Sequence, residues 1–291
     1  MNTPVKKTSP RYAAILCWST WSAERLPIQP FIDSFIHGAP LAGLDRHLAV
    51  RLVLGVLRQL QYLDFVISRY AKHPLAKMKP LTLMALRVGV YQLLFLDRIP
   101  DSAAVNETVK ALKREKQPRW LVNFVNGVLR TISRKKSEIP GPDQTDQGGT
   151  IILNHPQWLI DRWQARYGRE MTEQICCFNN QEPSLILRVN TMVTTAETVV
   201  HHCTEAGIDV EKAKFAPDAL IIKNPAGPVS GLPGYDEGYF HVQDEAAQLV
   251  TGLSGPFSTG GRYLDACAGL GGKTITLAQL LPDDTDPVSY T

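Results

Sequence analysis

Apolar residues recur at intervals of three and four positions through the first half of the chain, which is the spacing of one face of an α-helix. Four such stripes lie at 48–67, 83–94, 105–112 and 124–132. The first stripe is unbroken and predicts one long helix, and Ser102 is the predicted cap of the helix that carries the third. Such stripes are typical of core positions, so residues 1–136 predict an all-α helical bundle.

The pattern changes after residue 136. Residues 137–150 are poor in large apolar residues and rich in Pro, Gly and Asp, which is typical of a linker. Asn154 followed by Pro156 predicts an N-cap and an early helical proline. Residues 151–230 predict a small α+β module of the RRM-like kind, with a strand at 184–190, a helix from Thr194 or Thr195 to near Gly207, and strands near 208–215 and 219–223.

Residues 231–291 predict the beginning of an α/β domain. The predicted elements are a strand over 239–243, a helix begun by Asp244, a buried strand over Arg262–Asp265, a glycine loop, a helix over Thr274–Leu281 and the first residues of a second strand. A strand, a glycine loop and a helix in this order present backbone N–H groups and the positive end of a helix to an anionic ligand. The chain is therefore predicted to be multidomain.

The spacing of the glycines excludes two common ligand-binding loops. The NTPase loop needs a glycine five positions before Gly272, where Cys267 stands. The dinucleotide loop that would begin at Gly269 needs a glycine where Thr274 stands. With Asp265 at the end of the strand, S-adenosylmethionine is the best remaining candidate, its carboxylate meeting the loop amides. A purely structural turn between strand and helix is the alternative.

Charge is divided unevenly along the chain. Residues 1–140 hold 22 Lys and Arg against 9 Asp and Glu, whereas residues 141–291 hold 9 against 19. A basic module fits a polyanion such as RNA, because each neutralised phosphate releases counterions. A merely solvated helix surface is the alternative. Lys6, Lys7 and Arg11 are the predicted RNA contacts, because a basic arm before a helix can reach phosphates without disturbing the core.

Composition excludes several classes of protein. With 44% hydrophobic and 20% charged residues, the 291-residue chain is globular rather than disordered. It lacks an apolar run of about 18 residues and a secretory signal, so we expect a cytoplasmic protein without a membrane segment. The five cysteines are irregularly spaced without a CxxC pair, which predicts neither disulfides nor a metal site. The adjacent residues His201, His202 and Cys203 are expected on a partly exposed helix.

Three stretches of the second half resemble the RNA cytosine-C5 methyltransferases of the RsmB/NOP class. The segment DACAGLGGKT (265–274) resembles the first motif of that class, D-x-C-A-A-P-G-G-K-T, with Gly269 and Leu270 in place of Ala-Pro. Leu270 removes the stiffness of the proline, so the loop loses more entropy when it is ordered. The segment YFHVQDEAAQLV (239–250) is similar to the lead-in F-x-V-Q-D-E-A-S-Q-L, and NHPQWLIDRW (154–163) is similar to S-H-P-x-W-L-x-x-R-W.

The basic first half resembles a second kind of domain. SAAVNETVKALK (102–113) and FVNGVLRTI (124–132) are similar to the V-N-E-x-V and F-V-N-G-V-L-R signatures of the NusB-type fold. That fold stands at the N-terminus of the bacterial small-subunit rRNA members of the class. The resemblance therefore implies a NusB-like RNA-binding domain over 1–136, the linker and small module, and an incomplete S-adenosylmethionine-dependent methyltransferase domain over 231–291.

The resemblance also implies a cofactor, a partner and a mechanism. S-adenosylmethionine would be held by the loop residues Cys267, Ala268, Gly269, Leu270, Gly271, Gly272 and Lys273, and ribosomal RNA would be the partner. Cys267 is expected to pack within the loop. Members methylate cytosine covalently, with one cysteine adding to C6 of the base and a second helping to release the enzyme. These cysteines stand in downstream Pro-Cys and Thr-Cys motifs, neither of which occurs in this sequence, so no catalytic nucleophile is assigned.

We therefore expect the N-terminal part of an rRNA cytosine-C5 methyltransferase, truncated at its C-terminus and inactive by itself. Two alternatives stay open. A non-catalytic RNA-binding protein, such as an antitermination-type factor or a decayed paralogue, predicts RNA affinity that falls as salt rises. A bundle that mainly binds protein predicts association that survives high salt.

Overall fold

The computed structural model describes residues 8–24, 27–142, 153–223, 227–282 and 286–289. Its contacts divide the chain into two compact units, residues 1–182 and residues 183–291. The predicted boundaries at 136, 150 and 230 therefore do not coincide with the main division by contacts. None of the described helices is both long and apolar enough to span a membrane.

The first unit is helical throughout its described ranges. It also contains two short 3-10 helices, at Leu75–Lys77 and Lys136–Glu138. The α-helices are α1 (Pro10–Glu24), α2 (Ile28–His37), α3 (Gly43–Arg58), α4 (Leu60–Tyr70), α5 (Pro80–Phe95), α6 (Asp101–Arg114), α7 (Arg119–Arg134), α8 (Gln157–Tyr167) and α9 (Arg169–Asn179). The predicted helical bundle is confirmed.

Helix α5 lies at the centre of this bundle. It contacts α1, α3, α4, α6 and α7, and its Leu86, Val90 and Leu93 are buried. Arg87 of α5 forms a two-point ion pair with Asp64 of α4, with nitrogen–oxygen distances of 2.7 and 2.6 Å. The stripes read from the sequence therefore meet around one central helix.

The stripe over 48–67 belongs to two helices, so the prediction of one long helix is wrong. Helix α3 ends at Arg58 and α4 begins at Leu60, with Gln59 between them at φ −106° and ψ 19°. The break is stabilised by tertiary hydrogen bonds: Gln59 Nε2 donates to Asn180 O (3.1 Å), and Asn154 Nδ2 donates to Gln59 Oε1 (2.9 Å). The apolar spacing continues across the break, which is why the sequence pattern concealed it.

Two predicted helix caps are also wrong. Helix α6 begins at Asp101 after Pro100, so Ser102 lies inside the first turn. Helix α8 begins at Gln157 after Pro156. Asn154 has a positive φ of 55°, and its Oδ1 accepts a hydrogen bond from the backbone N–H of Tyr62 (2.8 Å). Its side chain therefore bonds to the first turn of α4 and does not cap α8.

The hairpin of α8 and α9 belongs to the first unit. Gln61 Nε2 donates to His155 O (3.0 Å), and Arg51 pairs with Glu182 at 2.7 Å. The Tyr62 hydroxyl donates to Pro140 O (2.7 Å). The predicted linker enters a 3-10 turn at its start, and its residues 143–150 lie outside the described residues.

The second unit contains a four-stranded antiparallel sheet in the order β2-β3-β1-β4. Its elements are β1 (Leu185–Val189), α10 (Ala196–Glu205), β2 (Val210–Lys212), β3 (Ala219–Ile222), a 3-10 turn at Val229–Gly231, and β4 (Phe240–Val242). Leu187 and Val189 of β1 pack with Val199 and Cys203 of α10 in a buried core. Thr195 caps α10, and its side chain accepts from Thr198 N (3.3 Å). The α+β prediction is confirmed, and the arrangement is ferredoxin-like.

A parallel strand–helix–strand unit follows the sheet. The helix α11 (Glu245–Gly252), capped by Asp244 as predicted, leads to β5 (Arg262–Asp265), α12 (Gly272–Leu280) and β6 (Asp286–Ser289). Strands β5 and β6 pair in parallel, with Leu264 opposite Val288. The strand predicted at Arg262–Asp265 is confirmed, but its predicted burial is wrong: Leu264 is 58% exposed, because within the described residues only β6 pairs with β5.

Candidate functional site

The loop between β5 and α12 makes two turns that require left-handed backbone. Gly269 has φ 54° and Gly271 has φ 84°. The N–H of Gly271 donates to Ala268 O (2.9 Å), and that of Ile275 donates to Gly271 O (2.8 Å). A side chain at a left-handed position would cost roughly 1–2 kcal/mol. Both glycines are therefore required by the path of the loop.

Asp265 fixes the shape of this loop from inside. Its Oδ1 accepts a hydrogen bond from Cys267 N (3.1 Å), and its Oδ2 accepts one from the Thr274 hydroxyl (2.8 Å). Both carboxylate oxygens are thus engaged by the chain itself. The acidic residue at the end of the strand holds the two ends of the loop together.

The open side of the loop fits an anionic group. Beyond the neighbouring residues, no described atom lies within 4 Å of where a Cβ would stand on Gly269, Gly271 or Gly272. The first intrahelical hydrogen bond of α12 is made by Ile275, so the amides of the three preceding residues have no partner within the helix. Orphan amides at the positive end of a helix favour a carboxylate. The donor set therefore fits the carboxylate of S-adenosylmethionine.

Two loop residues do not behave as the sequence suggests. Cys267 is exposed, so the expectation that it packs within the loop is wrong. Its backbone N–H donates to Asp265 Oδ1, and its side chain is left to solvent. Leu270 is fully exposed at the tip of the loop. Where the class carries proline, this chain thus presents an apolar side chain to solvent.

Gln243 connects the lead-in segment to the glycine loop. Its side chain is buried at the end of β4. Its Nε2 donates to Gly272 O (3.1 Å), and its Oε1 accepts from the Thr276 hydroxyl (2.9 Å). In the sequence, this segment is identified only by its resemblance to a motif. The missed signal was a glutamine directly before the N-cap residue of a helix.

One face of the ferredoxin-like sheet carries a polar layer. Arg188 of β1 is 4% exposed and lies opposite His241 of β4. Arg188 Nε donates to Gln279 Oε1 of α12 (2.9 Å), and its Nη2 lies 3.5 Å from Asp218 Oδ2. Asn190 Oδ1 accepts from Gln279 Nε2 (3.0 Å). Since α10 packs on the other face, the centre of the sheet is covered on both sides.

His241 makes the stability of this layer depend on pH. Burial lowers the pKa of His241 below its ordinary range; a hydrogen bond with Gln243 opposes this, and Arg188 adds to it. The unfolded chain therefore binds the proton more readily. We expect stability to be fully present above about pH 6.5, the unfolded value, and to be lost as the pH falls through the lowered folded pKa. Urea unfolding midpoints at pH 7.5 and pH 5.5 measure this.

His241→Gln should flatten that pH dependence. His201→Gln is the matched control, because His201 is 67% exposed on α10 of the same unit. An equal pH dependence in the wild type and in His241→Gln would contradict the prediction.

Arg11 is placed differently from its predicted role. It is the second residue of α1, not part of an arm before the helix. Its Nε donates to Gln92 Oε1 of α5 (2.7 Å), and burial lowers its pKa, against the influence of Glu107 and Asp45. Arg11 therefore bonds inside the bundle, which corrects its predicted place in a basic arm before the helix. Lys6 and Lys7 lie outside the described residues.

Comparison with known proteins assigns the two modules. Residues 7–134 match the NusB family. Residues 155–230 match the RsmF/B-like methyltransferase ferredoxin-like domain. The chain is 36% identical over 239 residues to the ribosomal RNA small subunit methyltransferase B of Escherichia coli O6:K15:H31 (strain 536), covering 82% of this chain and 54% of the relative. The chain is a homologue of ribosomal RNA small subunit methyltransferase B.

Two further comparisons agree with this homology. A protein of Bacillus subtilis (strain 168), named "Probable ribosomal RNA small subunit methyltransferase B", is 32% identical over 280 residues, covering 95% of this chain and 61% of the relative. The chain thus spans 54–61% of the length of these two relatives. The structure "Crystal Structure of PH0851" shares its fold, with a TM-score of 0.62 and 22% identity over 98% of this chain and 64% of that one.

The NusB domain presents a basic surface where α6 ends and α7 begins. Lys113, Arg114, Lys116 and Arg119 are exposed there, and Trp120 is 67% exposed beside them. The guanidinium of Arg114 lies 4.1 Å from the centre of the Tyr12 ring. An exposed tryptophan among cations is the composition of a single-stranded nucleic-acid surface. In the sequence these cations were part of the basic first half but were not predicted as contacts. The adjacent pair Arg119-Trp120, a cation beside an aromatic residue, was a signal that could have identified this surface.

The five cysteines of the chain divide into buried and accessible ones. Cys17, Cys176 and Cys203 are buried. Burial raises the pKa of Cys17 to about 12, and it also raises the pKa of Cys176 and Cys203. Thiols of this kind stay protonated near neutral pH and are poor nucleophiles. The histidines beside Cys203 lie on α10 as expected, and no cluster of three or more His, Cys, Asp or Glu side chains that could hold a metal occurs in the described ranges.

Proposed function

We propose that the chain is the N-terminal part of an S-adenosylmethionine-dependent rRNA cytosine-C5 methyltransferase that acts in the cytoplasm. Its NusB domain would dock ribosomal RNA, and the loop 265–274 would form the first half of the cofactor site. The observation that carries the proposal is the open glycine loop, which follows the two assigned domains along the chain. S-adenosylmethionine supplies an electrophilic methyl group when it is bound.

The loop supports cofactor binding through its own groups. The proposed contacts are Cys267, Ala268, Gly269, Leu270, Gly271, Gly272 and Lys273. The amides of Gly272 and Lys273 stand at the positive end of α12, and Lys273 adds a positive charge at the same end. These groups would bind the carboxylate of the cofactor. Asp265 would keep the loop in the shape that presents them.

The cysteines bear on whether this chain could transfer a methyl group by itself. Three of them are buried with raised pKa values. The exposed Cys267 lies in the glycine loop, and Cys177 lies on α9 in the first unit. We assign none of them as the nucleophile that adds to C6 of cytosine. The chain by itself is therefore expected to bind without transferring a methyl group.

Isothermal titration of the 291-residue chain with S-adenosylhomocysteine tests the cofactor half of the proposal. Filter binding with 16S rRNA, as a function of salt, tests the RNA half. We expect cofactor binding together with RNA affinity that falls as salt rises. RNA binding without cofactor binding would overturn the methyltransferase proposal and favour a non-catalytic NusB-like RNA-binding protein. RNA affinity that does not vary with salt would overturn RNA docking.

Trp120→Ala should weaken binding of a single-stranded RNA about tenfold, because stacking of one base on an aromatic ring contributes roughly 1–3 kcal/mol. Lys116→Ala should lower the slope of log K against log salt by about 0.7, the value for one phosphate of a single strand. Filter binding at several salt concentrations measures both effects.

Trp158→Ala is the matched control for that experiment. Trp158 is 65% exposed on α8, in the same unit as Trp120 but outside the NusB domain. An equal loss of RNA affinity in the two tryptophan variants would contradict the proposed surface. An unchanged salt slope in Lys116→Ala would remove that lysine from it.

A further inference from the structure

The glycine loop has little packing of its own. Within the segment 266–270, every side chain or glycine is exposed or only partly buried. Thr276 of α12, by contrast, is fully buried. The position of the loop amides must therefore be set by the helix that follows them and by whatever holds that helix.

Both polar atoms of the Gln243 carboxamide form hydrogen bonds with the first turn of α12. The amide nitrogen donates to Gly272 O (3.1 Å), and the amide oxygen accepts from the Thr276 hydroxyl (2.9 Å). Gly272 is the first residue of α12 and directly follows Gly271, the left-handed residue of the loop. A bond to its carbonyl thus fixes the peptide that begins the helix.

The backbone of Gln243 is itself anchored to the ferredoxin-like sheet. Its N–H donates to Ile186 O of β1 (3.1 Å), and its carbonyl accepts from Gln248 Nε2 of α11 (3.0 Å). Gln248 is buried. The side chain of Gln243 bonds to α12, and its backbone cannot shift without breaking bonds to the sheet and to α11.

The far end of α12 is held by a separate set of bonds. Gln279 bonds to Arg188 and Asn190 of the same sheet. It lies seven residues beyond Gly272, which is about 10 Å along a helix. Two attachments at this separation prevent the helix from tilting on the sheet. Only the attachment through Gln243 adjoins the loop.

We infer that Gln243 is a positioning residue that sets the unpartnered amides 272–274 against the ferredoxin-like sheet. The inference rests on the proposed cofactor role of the loop. Gln243 would not touch the cofactor. It would act through Gly272 and Thr276, so that the ferredoxin-like domain and the cofactor loop hold one fixed geometry.

Hydrogen exchange of the 291-residue chain, followed by mass spectrometry without ligand, tests the placement directly. Gln243→Met and Thr276→Val each remove the bond between Gln243 and Thr276 while nearly keeping side-chain volume. Because a single hydrogen bond makes a modest net contribution, we expect exchange of the hydrogen-bonded amides within 271–276, such as those of Gly271 and Ile275, to be about three- to tenfold faster. Thr276→Ser keeps the hydroxyl and should restore the wild-type rate.

Two variants serve as controls. Thr251→Val makes the same chemical change in α11, where the buried hydroxyl has no hydrogen-bond partner among the described atoms. It should leave the exchange of 271–276 unchanged. Gln279→Met breaks the far attachment and should lower overall stability, with a smaller effect on the exchange of the hydrogen-bonded amides within 271–276 than Gln243→Met has.

Titration of the same variants with S-adenosylhomocysteine provides the second readout. We expect Gln243→Met and Thr276→Val to weaken its binding about three- to tenfold, and Thr276→Ser to restore it. Wild-type exchange rates at 271–276 in Gln243→Met and Thr276→Val would overturn the inference. Faster exchange with unchanged affinity would also overturn it. A wild-type chain that binds no S-adenosylhomocysteine would instead overturn the proposed function, while the exchange rates would still decide whether Gln243 sets the loop.

Discussion

Replacing Asp218 with alanine should lower the free energy of unfolding by about 3 kcal/mol, because it leaves the guanidinium of Arg188 buried without its ion-pair partner. Arg188 is 4% exposed, and Asp218 Oδ2 lies 3.5 Å from its Nη2. Burial lowers the pKa of Arg188, and Asp218 is the group that opposes this effect. We place the loss at the lower end of the range for broken buried pairs because the Asp218 side chain is itself 28% exposed.

Urea unfolding of Asp218→Ala measures this loss, and two further variants define its origin. Asp209→Ala removes an exposed carboxylate from the same unit and should change stability by less than about 0.5 kcal/mol. The double variant Asp218→Ala/Arg188→Met removes the unpaired charge and should recover much of the loss. If the single and double variants are equally unstable, the unpaired charge is not the cause.

Replacing Gly55 with alanine should destabilise the helical bundle by about 2–3 kcal/mol. A Cβ at this position of α3 would overlap the Cζ and hydroxyl oxygen of Tyr91 on α5. The Tyr91 ring is buried and stacks on Phe95, with a centroid separation of 5.1 Å. Because the ring is buried and stacked, either the ring must leave its packing or the two helices must separate, and overpacking of this kind costs about 1–3 kcal/mol.

Gly127→Ala provides the opposite result in the same bundle. Gly127 lies on the exposed face of α7, where nothing stands within 4 Å of an added Cβ. Alanine is a better helix former than glycine by about 0.8–1.0 kcal/mol, so Gly127→Ala should raise the unfolding midpoint. Thermal unfolding of the two variants side by side checks both signs. Equal behaviour of the two glycine variants would show that contact with Tyr91 is not limiting.

The sequence predicted the helices and strands well where the spacing of apolar residues alone defined them. The apolar stripes placed α5, α6 and α7, and the alternation at 184–190 placed β1. The break at Gln59 was invisible because the atoms that stabilise it belong to Asn154 and Asn180, about a hundred residues along the chain. A tertiary hydrogen bond leaves no periodic trace in the sequence.

The candidate site was predicted in part. The motif located the glycine loop and its helix, because the positions that adopt positive φ are occupied by glycines that can be read directly from the sequence. The exposure of Leu264 and the bond from Arg11 to Gln92 were not visible, because both depend on what the rest of the fold brings near them. The roles of Gln243 and Thr276 were missed for the same reason. A motif identifies residues, but it does not say which partner each of them binds.

The hydrogen bonds at Gln59 also decide how the helical half of the chain can be produced by itself. A recombinant fragment that stopped at residue 136 would lose the partners of the Gln59 carboxamide and of the Tyr62 backbone N–H. A fragment that continued to residue 182 would keep them, together with the ion pair of Arg51 with Glu182. The longer fragment is the one that should resist proteases.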